Sequence, residues 1–140
     1  MNSATPINST YNGKVSGTET DTGSIDPDTG KGTLTVTYVN FNDGDGRTFD
    51  GAFSVKVGAY DMAYDMMTDW TMSCTLWTVK SAGSHVSLSG SVREQKNLQG
   101  NSDTTTINVD GRDNIGNETF RFENYIVTAV SDNLLNPTTG

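Results

Sequence analysis

Between Leu34 and Val130 the apolar residues of this chain recur at every second position, a period that leaves few folds open. In "TLTVTYVNF", Leu34, Val36 and Tyr38 fall on one side of an extended backbone and Thr33, Thr35 and Thr37 on the other. "TFDGAFSVKV" groups Phe49, Gly51, Phe53, Val55 and Val57, and "DWTMSCTLW" groups Trp70, Met72, Cys74 and Leu76. "HVSLSGSV" adds Val86, Leu88, Gly90 and Val92, and "TINV" adds Ile107 and Val109. "TFRFENYIVTAV" opens with Phe120 and Phe122 before becoming apolar on both sides. Strict alternation is the mark of a strand with one dry face, and threonine on the wet face suits strand propensity.

Polar Gly/Asp/Asn turns join these segments, with no room for the helical crossovers that parallel pairing needs. The expected fold is therefore all-β: an antiparallel meander of about seven to nine strands, curled as a sandwich or partly open barrel. The period fails once, in "YDMAYDMMTDW". There Asp61, Asp65 and Asp69 recur every four residues, with Met62 and Met66 in step. A short irregular or helical cap is expected over about residues 60–70. The charged stretch "SVREQKN", residues 91–97, reads as an edge strand.

Residues 1–30 form a polar segment with room for one edge strand near Tyr11 to Val15, and 31–131 form the β domain. Within that domain, 33–57 and 104–128 run in step at an offset of 71, which suggests a duplicated hairpin unit. Residues 132–140, ending in "NPTTG", read as a linker toward a further C-terminal part of a longer chain.

A hydrophobic share of 33% would suit a disordered chain if those residues were scattered, but here they alternate. With nine basic against seventeen acidic residues the net charge is −8, which repels nucleic acid. No stretch approaches the roughly 20 apolar residues of a membrane span, so membrane insertion is not expected, and the N-terminus lacks a signal-peptide pattern. Cys74 is the single cysteine and, among apolar neighbours, reads as a buried inert thiol. One histidine, His85, supplies neither a zinc cluster nor a triad with a strained serine elbow. "GKGT" at 30–33 lacks phosphate-loop spacing. The expectation is a protein that is not an enzyme.

Two candidate sites stand out. "NFNDGDGRTFDG" carries Asp43, Asp45 and Asp50, a candidate calcium loop. Its spacing misses the calcium-loop pattern, and its acids do not recur in the echo: Asp43 meets Asn114, Asp45 meets Gly116 and Asp50 meets Arg121. A hairpin turn is the competing reading. Tyr60, Tyr64, Trp70 and Trp77 form a candidate ligand site in which rings stack on sugar or on a small apolar molecule. Trp70 and Trp77, seven residues apart, should face opposite ways on one strand.

"GTLTVTYVNFNDGDGRTFDGAFSVKV", "VSLSGSVREQK" and "ETFRFENYIVTAV" resemble β-repeat segments of exported Gram-negative bacterial proteins and lipoproteins, many without an assigned function. That resemblance implies a secreted, periplasmic or cell-surface location and brings no catalytic residues with it. A lipid-attachment cysteine, typical of such lipoproteins, is absent. Two functions follow as expectations. One is a non-catalytic structural or adhesive domain of a bacterial surface protein. The alternative is a ligand-binding module, with or without calcium, whose partner is a polysaccharide or another surface protein.

Overall fold

Each strand pairs antiparallel with the next in the chain, so neighbours in sequence are neighbours in space. The computed structural model describes residues 4–130. Its elements are β1 (Thr5–Asn12), β2 (Ser16–Ile25), β3 (Gly32–Asn42), β4 (Thr48–Asp61), β5 (Met66–Ser81), β6 (Ser84–Asn97), β7 (Ser102–Asp113) and β8 (Glu118–Val130). They form one eight-stranded sheet in the order β1 to β8, an open meander in which β1 and β8 are the edges. The expected all-β antiparallel meander is present, as a single sheet that does not close into a barrel. Among the described residues there is no helix, and so none long and apolar enough to cross a membrane.

Several boundaries differ from the sequence reading. The polar N-terminal segment builds two strands, because its Thr and Ser residues pair along β1 and β2 as readily as apolar ones would. The segment 60–70 is a four-residue turn, Met62 to Asp65, between strands that continue on both sides. Asp61 Oδ1 accepts from the backbone N–H of Ala63 and Tyr64 there, and Asp65 takes a positive φ of 53°. "SVREQKN" is not an edge: it lies in β6 between β5 and β7, where Arg93 reaches Asp69 and Lys96 reaches Asp103. Residues 33–57 and 104–128 lie in the hairpins β3–β4 and β7–β8. The linker expected over 132–140 lies outside the described residues.

Cross-strand register gathers the apolar set onto one face. Val36 sits opposite Phe53, Val55 opposite Met72, Met72 opposite Val92, and Val92 opposite Ile107. The other face carries hydroxyl ladders such as Thr35–Ser54 at 3.0 Å and Thr78–Ser87 at 3.3 Å. Among the described residues no second layer covers the apolar face. Val36, 7% exposed, is the one buried apolar side chain among the described residues.

Glycine takes part in shaping this face. Gly23, Gly51 and Gly90 have positive φ (153°, 100° and 128°) on the apolar face of alternate strands. A side chain at Gly90 would meet the Asn108 carbonyl oxygen at 2.0 Å. At Gly111 the missing side chain is replaced by a neighbour's ring, since an added Cβ would lie 1.9 Å from Phe120 Cζ. Such kinks bend a sheet that would otherwise lie flatter. Gly90→Ala, which combines a clash with a disfavoured φ, should destabilise the chain by roughly 1–3 kcal/mol in urea unfolding. An unchanged midpoint would show that the glycine row is incidental.

Candidate functional site

Bulges in β3, β5 and β8, where three steps in one strand match two in its neighbour, decide which side chains meet. In β3, Tyr38 pairs with Gly51 and Phe41 with Phe49, so three steps in β3 match two in β4. The looped-out Asn40 has φ 48°, and its N–H donates to Asp50 Oδ1 at 2.8 Å. In β8, Tyr125 pairs with Ile107 and Phe122 with Val109. Asn124 again has φ 48°, its N–H donating to Asn108 Oδ1 at 2.8 Å. In β5, Cys74 pairs with Gly90 and Trp77 with Leu88. Each bulge resets the alternation, so the residue three positions on rejoins the same face.

The bulge in β5 corrects the expectation that Trp70 and Trp77 face opposite ways. Trp70 pairs with Val57 and Trp77 with Gly51, both on the apolar face. Leu76, expected inside, is turned to the polar face and is 58% exposed. The four aromatic candidates nevertheless form no single platform. Trp70 and Trp77 stand roughly 20 Å apart along β5, given the rise of an extended chain. Tyr60 packs over Gly30 and donates its hydroxyl to Asp65 Oδ1, while Tyr64 is exposed in the adjoining turn. Trp70 Nε1–H donates to Glu94 Oε1 at 3.0 Å.

Trp77 belongs instead to a cluster that sequence reading missed. Its ring stacks on Phe49 at 5.6 Å and 5°, and meets Phe53 edge-on at 5.9 Å. Tyr38 touches Phe41 and Phe49 at 5.4 Å each. Beside this cluster lies a cavity of about 210 Å³ lined by Phe53, Met72, Trp77, Leu88, Val92 and Val109, with Cys74 at its wall. The Cys74 thiol donates to the Leu88 carbonyl at 3.5 Å, and burial pushes its pKa up, away from reactivity. The Trp77 indole N–H is buried and has no hydrogen-bond partner among the described residues. The available signal was a skip in the apolar period, from Cys74 to Trp77.

Polar groups bound the apolar face on two sides. Toward the β4–β5 turn run Trp70, Glu94, Lys96 and Asp103, with Lys96 Nζ 3.5 Å from Glu94 and 3.1 Å from Asp103. Toward β1 stand Glu19 and Asp21, opposite Tyr38 and Val36. Burial raises the Glu19 pKa and the charges of Asp21 and Asp43 add to it, against the Tyr38 hydrogen bond. Tyr38 is pushed up to about 12, by burial first and then by its bond to Glu19.

The loop carboxylates have separate tasks. Asp43 Oδ1 accepts the Lys14 N–H at 3.3 Å, Asp45 pairs with Arg47 at 2.8 Å, and Asp50 holds the β3 bulge. Among the described residues no group of three or more His, Cys, Asp or Glu side chains is placed to hold a metal ion. Comparison of the chain with protein-family models, with curated proteins and with solved structures finds no match.

Two outcomes follow. A carboxyl with a raised folded pKa binds its proton more tightly when folded, so its charge destabilises the fold above that pKa and the penalty fades as pH falls through it. Glu19→Gln should therefore raise the melting midpoint at pH 7 by about 1–3 °C, with the gain vanishing near pH 4. A gain that persists at pH 4 would point to a cause other than charge. The melting midpoint should be the same in EDTA and in millimolar Ca²⁺; a clear rise with Ca²⁺ would restore Asp43, Asp45 and Asp50 as a cation site.

Proposed function

We propose that this chain is a non-catalytic structural or adhesive β domain of an exported bacterial surface protein. The observation that carries this reading is the uncovered apolar face. The strands direct most of their apolar residues to one side, yet they bury a single apolar side chain among those described. Exposed apolar patches of this kind mark surfaces that meet another layer of protein. The resemblance of the strand segments to β repeats of exported Gram-negative proteins supports a surface location. So does the inventory of side chains: the aromatic cluster, Cys74 with its raised pKa and the hydroxyl ladders offer packing and hydrogen bonding rather than a nucleophile paired with a base.

A second reading, favoured by the cavity beside Trp77, is a binding site for a small apolar molecule. At about 210 Å³ the space is below the roughly 300–1,000 Å³ of drug-sized sites, enough for a small ring or a short alkyl chain. The unpartnered Trp77 N–H would suit a ligand carrying one acceptor oxygen. A glycan is less well served, since Trp70 already engages Glu94 and the rings are spread along the sheet.

Tryptophan fluorescence of a Trp70→Phe variant isolates Trp77 and separates these readings. Titration with soluble polysaccharides and with medium-chain alcohols and fatty acids should leave the Trp77 emission unchanged for a structural domain. Saturable quenching by an alcohol, abolished in Val109→Phe where the cavity is filled without a new indole, would overturn the structural reading in favour of the ligand site.

A further inference from the structure

The two edges of the sheet are unlike. β1 is eight residues, TPINSTYN, with Pro6 removing one donor and mostly polar side chains; such features blunt an edge. β8 is thirteen residues, about twice the length of an ordinary strand, and every one of them is exposed. Its exposed residues include Phe120, Phe122, Tyr125, Ile126, Val127 and Val130. A long, apolar, unpaired edge is a template for another strand.

The sequence of β8 restricts which strand fits. Its bulge places Phe120 and Phe122 on the apolar face together with Tyr125 and Val127, the rings of Phe120, Phe122 and Tyr125 touching in turn at 6.1 and 5.8 Å. Laid antiparallel on a copy of itself, β8 has one nearly full-length register that keeps this face on one side. Phe122 of each copy then lies opposite Tyr125 of the other, and Phe120 opposite Val127. On the polar face the same register sets Arg121 opposite Ile126 and Thr119 opposite Thr128. The two bulges meet at the two-fold axis, so neither shifts the ladder.

From this self-complementarity we infer that the chain forms a symmetric dimer through β8–β8 pairing, giving one sixteen-stranded sheet with a continuous apolar face. The inference rests on the structural reading above and names its partner: a second copy of this chain. An isologous contact of this kind closes on itself, and the blunted β1 edges left at both ends stop further growth. The carbonyls and N–H groups along the outer side of β8 gain partners, and its rings gain lateral contacts with those of the other copy on the shared face.

Sedimentation equilibrium of the full chain over the micromolar range should give twice the 15.0 kDa chain mass. Ile126→Lys places a cation opposite Arg121 of the other copy, whose charge is partly offset by its ion pair with Asp110 at 2.6 Å, and should still weaken the dimer severalfold, because the unfavourable pair occurs twice. Ile126→Glu, which removes the same apolar side chain but faces that arginine with a carboxylate, should hold the dimer far better. In a Cys74→Ser background, Thr119→Cys combined with Thr128→Cys should oxidise to a covalent dimer. Within one chain those positions are nine residues apart on one strand and cannot bridge. Circular dichroism and melting of each variant report whether it has folded.

A monomer throughout the concentration range would overturn the dimer, as would larger polymers, equal weakening by Lys and Glu, or a dimer that fails to cross-link. None of those results bears on the fluorescence titration that tests the structural reading.

Discussion

Hydrogen bonds between consecutive strands hold this molecule together. In most domains the ladder and the core reinforce each other, but here one apolar side chain, Val36, is buried among those described. Each backbone bond contributes a net of about 1 kcal/mol, so a sheet of long ladders can persist where an uncovered face supplies little. The aromatic run from Tyr38 through Phe49 to Trp77 is the nearest thing to a core, and it ties β3, β4 and β5 together laterally. Every other property of the fold follows from register, because register decides what stands opposite what.

Register in turn is punctuated by bulges built the same way twice. An asparagine with positive φ loops out of β3 and of β8, and a polar side chain on the neighbouring strand catches its N–H. Asn tolerates that conformation better than other residues with a side chain, and Asp50 and Asn108 remove the orphan donor that the bulge creates. Asp50 is thus explained as a backbone clasp, one reason why the acidic loop does not behave as a set of ligands.

The apolar face ends where charge begins. Glu19 and Asp21 stand on the β1 side, and Glu94, Lys96 and Asp103 stand near the β4–β5 turn. On the β8 side the described residues form no such border, and Phe120, Phe122 and Tyr125 carry the apolar surface to the last strand. The asymmetry gives the sheet one side that repels addition and one that invites it. Asp21 Oδ1 and Asp103 Oδ1, buried without partners, are further strains that a covering layer would meet at its rim.

Alternation alone determined that the chain would be an antiparallel β meander, because a two-residue period has no other folded use and the short polar turns forbid crossovers. The residues of the apolar face were mostly legible too, from Leu34 through Val109. The skips from Tyr38 to Phe41, Cys74 to Trp77 and Phe122 to Tyr125 stood in the sequence, yet a skip means a bulge only once the opposite strand shows two residues facing three. Pairing therefore decided that Trp70 and Trp77 share a face, that Leu76 points away, and that "SVREQKN" lies inside the sheet despite its charges. It also decided that the sheet stays open. Closure and covering depend on contacts between strands far apart in the chain, and no local pattern of side chains encodes those.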